Sequence, residues 1–98
     1  MLMDVLNYLE MFLLLVKDDS MAPGGIFKND MVVVSRQNVA RNGEIVVALF
    51  DGEYTVARLY KEFKFFRLQP DNSKYSPLYA EKIVILGKVV GVIRNEIN

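Results

Sequence analysis

"EIVVALFDGEYTVARLY", residues 44–60, decides the fold. Two runs rich in β-branched and aromatic residues, 44–50 and 53–60, flank Asp51-Gly52. Asp-Gly between strand-like runs is a strong hairpin signal, because a type I′ turn needs positive φ at both central residues. The stretch therefore predicts an antiparallel hairpin. Alternation along its second strand puts Glu53, Thr55, Ala57 and Leu59 on one face and Tyr54, Val56, Arg58 and Tyr60 on the other. The first face is mixed for a core, which fits an edge strand with one face half in water.

Outward from the hairpin the chain continues in short strands. MFLLLV (11–16) is continuously apolar and suits a buried strand, and Pro23-Gly24-Gly25 breaks any regular element after it. MVVVSR (31–36) is β-branched, residues 38–43 are turn-like, FKFFRLQ (63–69) predicts a further strand and PDNSKYSP (70–77) a loop. KIVILGKVVGVIR (82–94) closes the chain, with Gly87 and Gly91 as bends or bulges. Residues 1–10, MLMDVLNYLE, carry a weak helix-like or extended pattern without clear caps. They are assigned as a leader or linker remnant before a domain spanning 11–98. The expected fold is all-β, a small, partly barrelled antiparallel domain.

Composition removes several classes of function. The chain has 98 residues, 52% apolar and 24% charged, enough for one modest core. Twelve basic and twelve acidic residues cancel, which argues against DNA binding by this chain alone, since phosphate backbones reward positive excess. With no cysteine there is no disulfide, thiolate metal site or cysteine nucleophile, and with no histidine there is no Ser-His-Asp triad or histidine metal site. Neither a signal peptide nor a membrane anchor is apparent, because MFLLLV is far short of the roughly 20 apolar residues that span a bilayer. If Ser20 in "VKDDSMAPGGIF" (17–28) is a nucleophile, its base is a lysine, a carboxylate or the terminal amine. The ordinary reading of Ser20 is an N-cap or turn serine ahead of a short helix.

Four blocks in order, "DDSMAPGGIFKNDMVVV", "NGEIVVALFDGEYTVARL", "LQPDNSKYSPL" and "ILGKVVGVIRN", resemble the C-terminal domain of the LexA repressor. That family comprises self-cleaving serine-lysine proteins, including UmuD-like proteins and phage repressors. The likeness runs from about Phe12 to Asn95, and implies a fold of the LexA/signal-peptidase type. It makes Ser20 of the Ser-Met pair the nucleophile. The family's base is the lysine of Thr-Val-Lys-Arg-Leu, where this chain has Thr55-Val56-Ala57-Arg58-Leu59. Ala57 thus marks the position of a missing general base, and the chain is expected to be catalytically inactive. A serine hydroxyl is a poor nucleophile until a neighbour takes its proton, which a lysine does only when burial keeps it neutral.

The resemblance also places an oxyanion hole at the serine turn, from the backbone N–H groups of Asp19 and Ser20. Thr55 and Glu53, on the strand face of position 57, are supporting residues. The remaining lysines, Lys17, Lys28, Lys61, Lys64, Lys74, Lys82 and Lys88, are assigned to the surface. Two departures from the family motif stand out, Asp18 and Asn29, both where glycine is usual. Asn29 is mild, because asparagine tolerates left-handed backbone, whereas Asp18 bears on the geometry of the turn. Asp30 is taken as an exposed loop acid with no catalytic part. Phe63, Phe65, Phe66, Tyr75 and Tyr79 are taken as core and loop packing.

The family cuts its own chain at an Ala-Gly bond a few tens of residues before the serine. No Ala-Gly pair occurs among the residues preceding Ser20, so the cleavage segment and the helix-turn-helix domain are expected to be absent. The resemblance further implies a bacterial, cytoplasmic repressor domain of the SOS response, with no cofactor, metal or membrane. Its partners would be a second copy through the C-terminal strand and, for the full-length protein, the RecA filament, with DNA bound only through the absent N-terminal domain. Two other readings stay open here: a UmuD-like polymerase accessory or phage-repressor assembly domain, and a small barrel binding single-stranded nucleic acid. The last is disfavoured by zero net charge.

Overall fold

The computed structural model describes residues 1–95. A short helix α1 (Leu2–Tyr8) leads into β1 (Met11–Leu15), a 3-10 turn (Ala22–Gly24), β2 (Met31–Arg36), β3 (Ile45–Phe50), β4 (Glu53–Lys61), β5 (Phe66–Gln69), β6 (Leu78–Ala80) and β7 (Val84–Ile93). The described strands form one sheet, ordered β1-β2-β7-β3-β4-β5-β6, and every neighbouring pair is antiparallel. The sheet is not closed, since β1 and β6 lie at opposite ends of that order. Among the described residues no helix is long and apolar enough to cross a membrane.

The central hairpin forms as its sequence dictates. Asp51 and Gly52 have φ of 55° and 82°, the two positive values of a type I′ turn, and Phe50 pairs with Glu53 across it. The expectation that β4 is an edge strand is corrected: β4 lies between β3 and β5. Both its faces are covered in mid-strand. Val56 packs with Val16, Met21, Ile26, Val32, Val34 and Val47, while Ala57 and Leu59 pack with Val46, Ala48 and Leu68. The mixed face seen in the sequence is buried at Ala57 and Leu59 and opens only toward Glu53. The strand expected over 63–69 is also shorter, because Glu62 N–H bonds to the carbonyl of Phe65 and turns the chain there. Of the aromatics assigned to core and loop packing, Phe66 packs against the Val46 and Leu59 cluster and Phe65 meets Tyr79 edge-on, whereas Phe63 is 94% exposed.

β7 joins the two halves of the sheet. Its residues 84–88 pair with β3 and 87–93 with β2. The register slips at two places along it, beside Gly87 and beside Gly91, so both glycines flank bulges. At Gly87 the strands approach so closely that a Cβ would lie 2.3 Å from the Ser35 carbonyl oxygen. Only glycine fits there.

Asp30 is a further correction. It is 3% exposed rather than a solvated loop acid. Its carboxylate accepts bonds from Arg94 Nε (2.8 Å), Arg94 Nη2 (2.7 Å) and the Phe27 N–H (2.7 Å), tying the end of β7 to the loop before β2. The preceding Asn29 has φ of 75°, the left-handed backbone for which its tolerance was expected. Hydrogen bonding from Arg94, reinforced by the Phe27 amide, holds the Asp30 carboxyl below its ordinary range despite burial. A lowered folded-state pKa stabilises the fold fully above the unfolded value of about 4, and the gain is lost as pH falls through the folded value. Asp30→Asn is therefore expected to cost about 2 kcal/mol at pH 7, at the low side for a buried pair because Arg94 is partly exposed. The difference from the unsubstituted chain should shrink below pH 4 in urea melts. A pH-independent difference would show that the ion pair is not its source.

Candidate active site

The serine turn is built by anchoring the residue after the serine. Met21 is 1% exposed, packed into the core with Val16 and Ile26, and it caps the 3-10 turn in which Pro23 fixes the backbone. Ser20 is therefore not the N-cap of that turn, and no side chain caps it. With Met21 inserted, Ser20 is left half-buried at the surface of the sheet. The loop between β5 and β6 clamps the turn from the other side. Asn72 N–H donates to the Ser20 carbonyl (2.9 Å) and Asn72 Nδ2 to the Asp19 carbonyl (3.1 Å). The Asp19 carboxylate accepts the Lys28 N–H at 3.1 Å.

Ser20, Thr55 and Ala57 line one hollow of about 200 Å³, with Leu68, Pro70 and Tyr75 among its walls. A neighbouring hollow of about 150 Å³ holds Ser20 and Thr55 again, together with Lys17, Asp18 and Glu53. Ser20, Thr55 and Ala57 thus share one hollow, and Asp18 and Glu53 join Ser20 and Thr55 in its neighbour, whereas Asp19 and Asn29 line neither. Ser20 comes from the first of the four blocks and Ala57 from the second, on β4. Ala57 is 1% exposed and surrounded by Val46, Ala48, Leu59 and Leu68. It presents a methyl group and no basic atom.

Lys17 is the lysine that borders this groove. It is exposed, and its ammonium sits 3.9 Å from the centre of the Tyr54 ring. That contact holds the Lys17 amine against the Tyr54 ring, and Lys17 does not line the hollow that contains Ala57. Glu53 is exposed at the outer end of the same groove. A larger hollow, about 520 Å³, is bounded by Phe27, Lys28, Asn29, Asp30, Arg94 and Asn95 and contains no hydroxyl nucleophile. Among the described residues no three of Asp, Glu, His or Cys are grouped so as to hold a metal ion.

Sequence reasoning missed what fixes the loop that clamps the serine. Arg58 Nε and Nη2 donate to Asp71 (2.8 and 3.1 Å), and Arg58 Nη1 donates to the Gly43 carbonyl (2.9 Å). The bond donated to Asp71 raises the Arg58 pKa further and keeps the guanidinium charged. A Cβ on Gly24 would lie 2.2 Å from the Asp71 carboxylate, so that glycine leaves room for the bridge. Asp71 and Asn72 stand in a polar stretch whose composition signals a loop and nothing about its target.

The profile of the family described as Peptidase S24-like matches residues 4–90. This chain belongs to that family. S24-like proteins are serine peptidases, and the match covers the serine turn, the central hairpin and most of β7. The "LexA repressor" of Caldicellulosiruptor saccharolyticus is 53% identical over 91 residues, covering 93% of this chain and 45% of the relative. The "LexA repressor" of Desulfitobacterium hafniense is 52% identical over 91 residues, with the same shares. That of Pelotomaculum thermopropionicum is 54% identical over 85 residues, covering 87% of this chain and 42% of the relative. The chain spans under half the length of these relatives. The likeness to the LexA C-terminal domain, drawn from the four sequence blocks, is thus a family relationship. The all-β S24 fold accompanies it.

Proposed function

We propose that this chain is the dimerisation and peptidase-like domain of a LexA-type repressor of the SOS response, in which self-cleavage has been lost at Ala57. The observation that carries this reading is the shared groove of Ser20, Thr55 and Ala57. That shared lining supports reading Ser20 as the nucleophile position, Thr55 as its supporting hydroxyl and Ala57 as the seat of a missing base. Residues 11–98 are read as the domain, its last three positions lying outside the described residues, and residues 1–10 as a leader or linker remnant, although the family profile matches from residue 4. In bacterial repressors of this type a helix-turn-helix domain reads DNA, the repressor works in the cytoplasm, and the RecA filament stimulates the self-cleavage that Ala57 removes here.

The test is Ala57→Lys, assayed with an added peptide containing an Ala-Gly bond. Product that depends on Ser20, abolished by Ser20→Ala, supports the reading. Its absence at alkaline pH, from Ala57→Lys both alone and combined with Asp18→Gly, overturns it.

Dimerisation is assigned to the end of β7. Among the described residues, 89–93 pair with β2 on one side only, and Val90, Val92 and Ile93 are exposed there. A half-strand with an open, β-branched edge suits antiparallel pairing with its own copy about a two-fold axis. Sedimentation equilibrium is expected to show a dimer that Val92→Lys dissociates. A monomer at high micromolar concentration would exclude this contact.

A further inference from the structure

The backbone amides assigned to the oxyanion hole are already engaged. Ser20 N–H donates to Asp18 Oδ1 at 2.9 Å, and Asp19 N–H reaches the Tyr75 hydroxyl at 3.4 Å. An oxyanion hole works because its donors point at the place where negative charge will develop and cost no reorganisation when it does. Here a negative oxygen is bound to one of those donors in the resting chain. A bond from an amide to an ionised carboxylate is stronger than one to a neutral carbonyl, so a substrate carbonyl competes poorly for the same hydrogen.

Asp18 has a second reach. With Ser20 and Thr55 it borders both hollows of the groove, including the one that contains Ala57. An amine placed at position 57 would therefore enter the field of a nearby carboxylate. An opposite charge at short range favours the ammonium, the form that cannot act as a base. The two effects act on different parts of the chemistry and in the same direction.

We propose that Asp18 is a second lock on the Ser20 groove, its carboxylate occupying the serine amide that a tetrahedral oxyanion would need. The proposal rests on the peptidase-like reading of the groove and adds that a lysine at position 57 restores only part of the activity. An Asx turn of purely structural value is the competing explanation, and it predicts no effect on turnover.

Three proteins separate the possibilities: Ala57→Lys, Ala57→Lys/Asp18→Gly and Ala57→Lys/Asp18→Asn, each with a Ser20→Ala control and a thermal melt. The rate of Ala-Gly peptide cleavage is followed against pH. Asp18→Gly frees the amide and removes the charge, so the alkaline plateau should rise at least about tenfold, given that an oxyanion donor is worth roughly 10²–10³. Asn keeps an acceptor for the Ser20 amide without charge. Asp18→Asn should therefore move the pH midpoint downward and leave the plateau within about threefold of Ala57→Lys. Equal plateaus and equal midpoints in all three folded proteins overturn the lock.

A readout without turnover keeps the two proposals distinct. In the chain as it stands, the Ser20 amide proton should lie downfield and exchange slowly with solvent, and Asp18→Ala should abolish both features. If the Ser20 resonance and its exchange are unchanged by Asp18→Ala, the lock fails even where the peptidase reading survives. If the resonance behaves as stated and all lysine variants are inert, the peptidase reading fails, and with it the lock as a restraint on catalysis.

Discussion

Ala57→Lys is expected to turn an inert chain into a slow peptidase whose rate climbs into the alkaline range. General-base catalysis contributes about 10²- to 10⁴-fold, and Ala57 leaves that contribution at zero. Burial and space for the amine are already in place, although Asp18 opposes its neutral form. Val46, Ala48, Leu59 and Leu68 surround position 57, so the ammonium form is penalised by desolvation. The hollow of about 200 Å³ beside Ala57 gives the side chain a way toward Ser20. The same burial costs stability, since a longer side chain in a packed region costs about 1–3 kcal/mol. Ala57→Met, of similar length and without a base, should show a comparable drop in Tm and no cleavage. Cleavage by the methionine variant would mean that groove shape, not proton transfer, limits the reaction.

Gly87→Val is expected to abolish cooperative folding, with a loss of about 3 kcal/mol or more. The first side-chain atom added at Gly87 would stand 2.3 Å from the Ser35 carbonyl oxygen and 2.5 Å from a Val34 methyl group. The methyl group can rotate away, but the carbonyl belongs to the β2 backbone. Relief therefore means separating β7 from β2, and a small domain has only about 5–15 kcal/mol in all. Gly91→Ala provides the contrast, because its new atom meets Val33 at 3.6 Å, an ordinary contact. It should change stability by less than about 1 kcal/mol. Urea melts of the two variants check the difference, and equal losses would show that strand irregularity, rather than the close approach, sets the need for glycine.

Much of the architecture was legible because it depends on neighbours in sequence. Asp51-Gly52 dictates its own turn, MVVVSR forms β2 at its stated bounds, and Gly87 and Gly91 flank the slips in register. Asn29 adopts left-handed backbone as its side chain permits. What was not legible depends on partners far along the chain. Asp30 appears solvated until Arg94 is placed beside it, and β4 appears an edge until β5 covers it. β6 has only three residues, too few for a period to show. At the groove, the resemblance supplied the serine and the alanine, but the grip of Asn72 on the serine turn needed coordinates. Asp18 was visible as a departure from the motif. The bond it makes was not.

The place of β7 between β2 and β3 also sets the order in which the molecule can be made. Before it emerges from the ribosome, the chain holds a β1-β2 hairpin and a β3-to-β6 meander, which no described strand pairing connects. The serine turn follows β1, while Thr55 and Ala57 belong to the meander. Pairings across long sequence separations form slowly because loop closure precedes any reward. Translation thus delivers both walls of the groove before the strand that pairs with each. A chain stopped short of Val84 can hold them together only through loop and side-chain contacts, among them the Asn72 bonds and the packing of Val56 with Met21.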